Sequence, residues 1–164
     1  MHRVRKSTPR VTVARSPRAA GRRIALVASQ FNRPITMGLV RGALDVLRRA
    51  GVARSRIELW WVPGAFELPA AAARLARRRA RPDAIIALGT LIRGQTIQYE
   101  VLAHAVAEGL MQVAVSDGLP VTCGVIVAST AAQAKARAGA TGRNRGAEAA
   151  LAALAVLDLF DRWT

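Results

Sequence analysis

The 164-residue chain can bury one hydrophobic core but not two, and its 52% apolar content includes only 4% aromatics, which favours helix and sheet layers packed through Ala, Val and Leu over an aromatic-cored sandwich. A single cysteine, Cys123, excludes an internal disulfide framework or Cys-rich zinc site, and with only His2 and His104 besides no metal is expected. The net charge of +15 raises the question of nucleic acid, but its distribution weakens that reading.

Residues 1 to 22 form the basic tail. Arg3, Arg5, Lys6, Arg10, Arg15, Arg18, Arg22 and the adjoining Arg23 stand there without one acid, among Pro9, Pro17, Ser7 and Ser16, a composition that predicts disorder. RNA or polyanion contact is one role for it; a solvated extension is favoured, because no aromatic interleaves the charges to stack on bases. The segment lacks the apolar core of a signal peptide, and no uninterrupted apolar run approaches the roughly 18 to 20 residues of a membrane span. No membrane contact and a cytoplasmic location are expected.

Residues 23 to 164 read as one domain. Ile24 to Ser29 is a short apolar run typical of a buried parallel strand, with Phe31 and Asn32 in the loop that follows. Pro34 suits the first turn of a helix reaching Ala50, and Gly51 stops it. A second strand is predicted at Ile57 to Val62, ended by Pro63 and Gly64, then a helix from Phe66 to Arg81, ended by Pro82. Ala84 to Leu88 is the third strand and Gly89 to Gly94 a polar loop; a helix spans Ile97 to Val115 and a fourth strand Val121 to Val127. Helices at Ala131 to Arg137 and Gly146 to Phe160 close the chain.

This alternation predicts a mostly parallel sheet covered on both faces, with a ligand site beyond the carboxyl ends of the strands. The chemistry-bearing residues collect in those loops. Thr90-Leu-Ile-Arg-Gly-Gln-Thr96 leads from a strand into a helix and offers backbone N–H groups to an anion, or Thr96 serves only as a helix cap. Arg137-Ala-Gly139 and Arg143-Asn-Arg-Gly146 put guanidinium groups near glycine turns, suited to a phosphate or polyol, though abundant arginine also makes them candidate surface charges. Glu67, after a Pro-Gly turn, is either a hydrogen-bond acceptor for a ligand or a first-turn acid favoured by the helix dipole. No paired carboxylates, Ser-His-Asp set or Cys-His pair supports hydrolytic or nucleophilic catalysis. Cys123 is expected to be buried in its strand and to pack there without reacting.

Four segments together resemble the lumazine synthase family: Phe31-Asn32, Trp61-Val-Pro-Gly-Ala-Phe-Glu-Leu-Pro69, Leu88-Gly-Thr-Leu-Ile-Arg-Gly-Gln-Thr96, and Gln133-Ala-Lys-Ala-Arg-Ala-Gly139 followed by Asn144-Arg-Gly-Ala-Glu-Ala-Ala150. They occur in family order and spacing from about residue 22 to 160. The resemblance implies an α/β, flavodoxin-like three-layer αβα sandwich with a four-stranded parallel sheet, assembled as pentamers and sometimes as icosahedral cages of twelve pentamers, with active sites between subunits. It implies a transferase of riboflavin biosynthesis that condenses 5-amino-6-(ribitylamino)uracil with 3,4-dihydroxy-2-butanone 4-phosphate to 6,7-dimethyl-8-ribityllumazine, with no cofactor or metal.

By the same resemblance Phe31 stacks on the pyrimidine, and Ala65, Phe66 and Glu67 line the uracil and ribityl pocket, Glu67 accepting ribityl hydroxyls. Thr90, Leu91 and Ile92 present backbone groups to the heterocycle. Gln95 and Thr96 hold the phosphate with Arg137 of a neighbouring subunit. Three positions depart from the family. Its catalytic histidine aligns with Gln98, an aromatic of the fourth strand aligns with Cys123, and the lysine of its Asn-Lys-Gly motif aligns with Arg145.

A glutamine amide donates and accepts hydrogen bonds but exchanges no proton near neutral pH. Losing a general acid or base forfeits about 10²–10⁴-fold, while positioning two substrates in one pocket contributes a comparable or larger factor. His104 is no substitute, lying about 600° of helical rotation from Gln98, where packing or interface contact suits it better. Glu100 is the more reachable proton carrier. An active synthase is therefore the leading expectation, ahead of a weakened lumazine-binding or shell-forming homologue and of a polyanion-binding cage using the tail.

Overall fold

The computed structural model describes residues 19–140 and 143–163. The tail predicted from the sequence falls largely outside the described residues, but its last part does not behave as a tail: Ala19 is buried, and its N–H donates to the Ala50 carbonyl at 2.9 Å.

Four strands, β1 (Ile24–Ser29), β2 (Ile57–Val62), β3 (Ala84–Ile92) and β4 (Val121–Ala128), alternate with helices α1 (Arg33–Arg49), α2 (Leu68–Ala76), α3 (Gln98–Asp117), α4 (Ala131–Ala136) and α5 (Arg145–Asp161). They pair in parallel in the order β2-β1-β3-β4. Every residue of β1 is buried, as a central parallel strand with helices on both faces requires. Alternate strand residues point to opposite sides. Leu26, Ala28, Ile86 and Leu88 pack under α1 and α5, whereas Ala25, Val27, Ile85 and Ala87 pack under α2 and α3. The result is the flavodoxin-like three-layer sandwich expected from the sequence. No helix among the described residues is long and apolar enough to cross a membrane.

Three local readings are corrected. The predicted loop at Gly89 to Gly94 is half strand: β3 continues to Ile92, with Thr90, Leu91 and Ile92 registered against Ile126, Val127 and Ala128. Gly89 reads as a breaker, yet it is a close-packing position, since a Cβ there would lie 3.1 Å from Ser29 Oγ and 3.2 Å from Leu68 Cδ1. Next, the helix predicted from Phe66 to Arg81 is a 3-10 turn at Ala65–Glu67 followed by the shorter α2. The arginines beyond Ala76 leave the helix to find acids, Arg77 pairing with Asp117 at 3.0 Å and Arg78 with Glu58. Finally, Cys123 is exposed, not buried. β4 is an edge strand, and α3 leaves Cys123 and Val127 uncovered on the face that it shares with β4.

Candidate functional site

The loops at the carboxyl ends of β1, β2 and β3 are tied to one another by backbone and side-chain hydrogen bonds. Gln30 and Phe31 donate their N–H groups to the carbonyls of Val62 (2.8 Å) and Pro63 (3.0 Å), joining the β1 loop to the end of β2. Asn32 adopts the left-handed conformation (φ 58°) at the N-terminus of α1 and donates its side-chain amide to the Thr90 carbonyl. The buried hydroxyls of Thr36 and Thr90 lie 3.4 Å apart. At the start of α1 the Arg33 guanidinium stacks over Trp61, 4.8 Å from its ring centroid, a cation–π contact that ties this helix to β2.

These loops enclose a cavity of about 390 Å³. Phe31 forms one wall, and the turn Pro63–Glu67 brings Ala65, Phe66 and Glu67 to another. The β3 extension contributes Thr90, Leu91 and Ile92, and Thr96, Gln98 and Tyr99 border the cavity from the start of α3. Phe31 and Phe66 are 71% and 59% exposed. Two exposed phenyl rings beside a cavity that Asn32, Thr90 and Gln98 also line suit a flat heterocycle. Glu67 has a structural duty as well: its Oε2 accepts from the Gly64 N–H at 2.8 Å and closes the turn that carries Ala65 and Phe66. Thr96 is not the N-cap of α3, where Ile97 stands; its hydroxyl accepts only a long 3.4 Å contact from the Gln98 N–H.

A second concavity, about 450 Å³, lies at the carboxyl end of β4 and is lined by Val125 to Ala128 with Gln133, Arg137 and Arg145. Both guanidinium groups flank Glu148, Arg145 at 3.0 Å and Arg137 at 3.6 Å. One carboxylate between two cations leaves this surface positive, as an anion site requires. The two linings share no residue. Within one chain, therefore, the predicted site residues fall into two groups, an aromatic and amide-lined cavity and a cationic shelf. Gln95 and Cys123 line neither.

A larger groove of about 1090 Å³ runs between α1 and α5. It is lined by α1, α5 and the end of α4 with the segment that follows, with no aromatic side chain and no residue from the ends of β2 or β3. The smaller cavity is the better chemical site because polar and aromatic groups converge on it. Tyr99 and Leu102 line that cavity without having been predicted to. Leu102 was legible in principle, since it follows Gln98 by one helical turn. Tyr99 donates its hydroxyl to Glu100 Oε1 at 2.8 Å, and this hydrogen bond, ahead of partial desolvation and the nearby carboxylate charge, raises its pKa above the ordinary 10.0.

Residues 21–161 match the family described as 6,7-dimethyl-8-ribityllumazine synthase. The chain is similar to the protein of that name from Gemmatimonas aurantiaca, 49% identical over 146 residues that cover 89% of this chain and 88% of the relative. It is 47% identical over 137 residues to the one from Halorhodospira halophila, covering 84% and 87% of the two chains. Against the one from Leuconostoc mesenteroides subsp. mesenteroides it is 39% identical over 141 residues, covering 86% and 90%. With the parallel αβα sandwich and the cavity formed by the matching loops, these likenesses establish that the chain belongs to the 6,7-dimethyl-8-ribityllumazine synthase family.

Proposed function

We infer that this chain condenses 5-amino-6-(ribitylamino)uracil with 3,4-dihydroxy-2-butanone 4-phosphate to 6,7-dimethyl-8-ribityllumazine, the transferase step that its family's name describes. The observation that carries this reading is the convergence of Phe31, Phe66, Glu67, Thr90 and Gln98 on one cavity at the carboxyl edge of the sheet. Phe31 stacks on the pyrimidine, while backbone groups of Thr90, Leu91 and Ile92 face its polar edges. Ala65, Phe66 and Glu67 take the ribityl chain, the second oxygen of Glu67 accepting hydroxyls. Gln95 and Thr96 hold the phosphate together with Arg137 of a neighbouring subunit, and Cys123 and Arg145 complete the wall from that neighbour.

This division of labour accounts for the separation of the two concavities, because the cationic shelf serves the next subunit's cavity. A homo-oligomer also accounts for the surface of α3. Ile97, Val101, Met111 and Val115 are 72%, 58%, 64% and 76% exposed, and with His104 and Glu108 they recur at alternating spacings of four and three residues. That is the seam of a packed helix, not of a solvated one. Five copies around a ring, alone or gathered into a larger cage, bury the seam. A sedimentation mass five times the 17.5 kDa of the chain, or a multiple of that, is expected; a monomer would refute the shared site.

With Gln98 where the family has a proton-exchanging residue, the rate rests chiefly on positioning and phosphate binding. Purified protein mixed with both substrates is expected to raise the lumazine absorbance well above the spontaneous rate. Binding of substrates without acceleration would instead identify a homologue that has kept the pocket and lost the chemistry.

A further inference from the structure

Gln98 leaves the cavity without its proton carrier, and few neighbours can take over. Of the side chains that line the cavity, only Glu67 and Tyr99 carry titratable groups. Glu67 is committed through Oε2 to the Gly64 N–H, at the turn beside Phe66. Tyr99 stands next to Gln98 in the first turn of α3, at the same end of the cavity as Thr96. Its hydroxyl proton is directed to Glu100 Oε1 at 2.8 Å. What remains free on Tyr99 Oη is acceptor capacity, backed by a carboxylate that lies outside the cavity lining.

We propose that Tyr99, relaying to Glu100, is the proton-transfer residue of this chain, occupying functionally the place that Gln98 has vacated. The inference rests on the condensation proposed above. After the uracil amine and the ketone have joined as an iminium with loss of water, Tyr99 Oη accepts the proton from the carbon next to the C=N bond, as its own proton passes to Glu100 Oε1. The C–H electron pair becomes the C=C bond of an enamine, and the C=N π pair moves to nitrogen. The enamine then re-forms C=N and expels phosphate with its C–O electron pair, leaving an enol. Glu100 returns its proton through Tyr99 to the terminal carbon of that enol while the enol hydroxyl proton passes to the departing phosphate, leaving a ketone and protonated phosphate, so the pair ends as it began. The charged groups around Tyr99 are Glu100 and Arg93, with Glu67 across the cavity; the Arg93 guanidinium favours the transient negative charge on Oη.

The test compares Tyr99→Phe, Glu100→Gln and the same two changes in a Gln98→His background, measuring kcat, both KM values and the isotope effect with the ketone deuterated at the carbon that loses its proton. Each single variant is expected to lose about 10²-fold or more in kcat with KM unchanged, with a larger isotope effect, as loss of a proton carrier predicts. In the Gln98→His background the loss shrinks severalfold, because an imidazole reaches the same end of the cavity. Tyr99→Phe within twofold of the unaltered chain overturns the proposal, as does an equal loss in both backgrounds, which would mark a packing role. An unaltered chain no faster than the spontaneous reaction would refute the condensation itself, a separate outcome.

Discussion

The Asn32 side-chain amide donates to the Thr90 carbonyl at 3.0 Å, and the two residues thereby lock the loop after β1 to the far end of β3 across the floor of the cavity. Asn32 is also the one non-glycine residue with positive φ among those described. Asparagine tolerates that conformation better than most side chains, and here its amide has a second use. Asn32→Gly keeps the backbone and loses the bond, whereas Asn32→Ala loses both. Urea denaturation is expected to show a cost of about 1 kcal/mol for the glycine variant and about 2 kcal/mol or more for alanine. Equal costs would mean that the left-handed turn stores no strain.

Acid sensitivity has an identifiable contributor at the β2 edge. Glu58 is held below its ordinary pKa of 4.5 by the hydrogen bond from Arg78, against a desolvation penalty that exceeds the further lowering by the Trp60 Nε1 hydrogen bond. A carboxylate with a depressed folded pKa stabilises fully above its unfolded value, and the contribution fades as pH falls through the folded one. Side-chain exposure of 30% and 36% for the pair limits its worth to below about 1 kcal/mol. Glu58→Gln is therefore expected to lower the denaturation midpoint slightly at neutral pH, by a difference that shrinks as pH falls below 4.5 through the folded pKa. A difference that grew on acidification would reverse the sign and exclude the pair as the cause.

Much of this architecture is written locally. β1 and β2 match their predicted bounds because apolar runs there end at residues that cannot continue a strand, Pro63 and Gly64 after Val62. What is not local was misread. Gly89 resembles a break until Ser29 and Leu68 are seen against it, and Cys123 resembles a core residue until strand order makes β4 an edge. The same holds for the site. Phe31, Ala65 to Glu67 and Thr90 to Ile92 line one cavity because loops at the strand ends must converge, whereas Arg137 lies on a separate shelf at the end of β4, a separation that spacing along the chain does not reveal.

Gly146, at the second position of α5, is a packing residue and not a flexible one. A Cβ built there would sit 2.1 Å from the Leu39 carbonyl oxygen of α1, and the helix is capped by Asn144, whose Oδ1 accepts from Gly146 N–H (2.9 Å) and Ala147 N–H (3.1 Å). Helix propensity alone would make Gly146→Ala stabilising by up to about 1 kcal/mol. The backbone contact argues the opposite sign, a loss of about 1–3 kcal/mol as α1 and α5 are pushed apart. Thermal unfolding decides between them, and a raised midpoint would show that the helices separate without penalty.

The split between the aromatic cavity and the Arg137 shelf makes a prediction about mixtures of damaged chains. On the proposed function, Phe31→Ala would remove the stacking face, and Arg137→Ala would remove a charge-assisted hydrogen bond to phosphate, a loss of about 1.5–3 kcal/mol or roughly 10- to 100-fold in activity. If every site took Phe31 and Arg137 from the same chain, co-expressing the two variants would yield only sites with one lesion, and activity would stay at the average of the parents. If the cavity of one chain is completed by the shelf of its neighbour, random association pairs an intact cavity with an intact shelf in about a quarter of the interfaces. Those interfaces carry neither lesion, so the mixed oligomer is expected to recover about a quarter of the unaltered activity. Activity no higher than the parental average, in oligomers shown by mass to contain both chains, would place the whole site within one subunit and leave Arg137 bound only to Glu148.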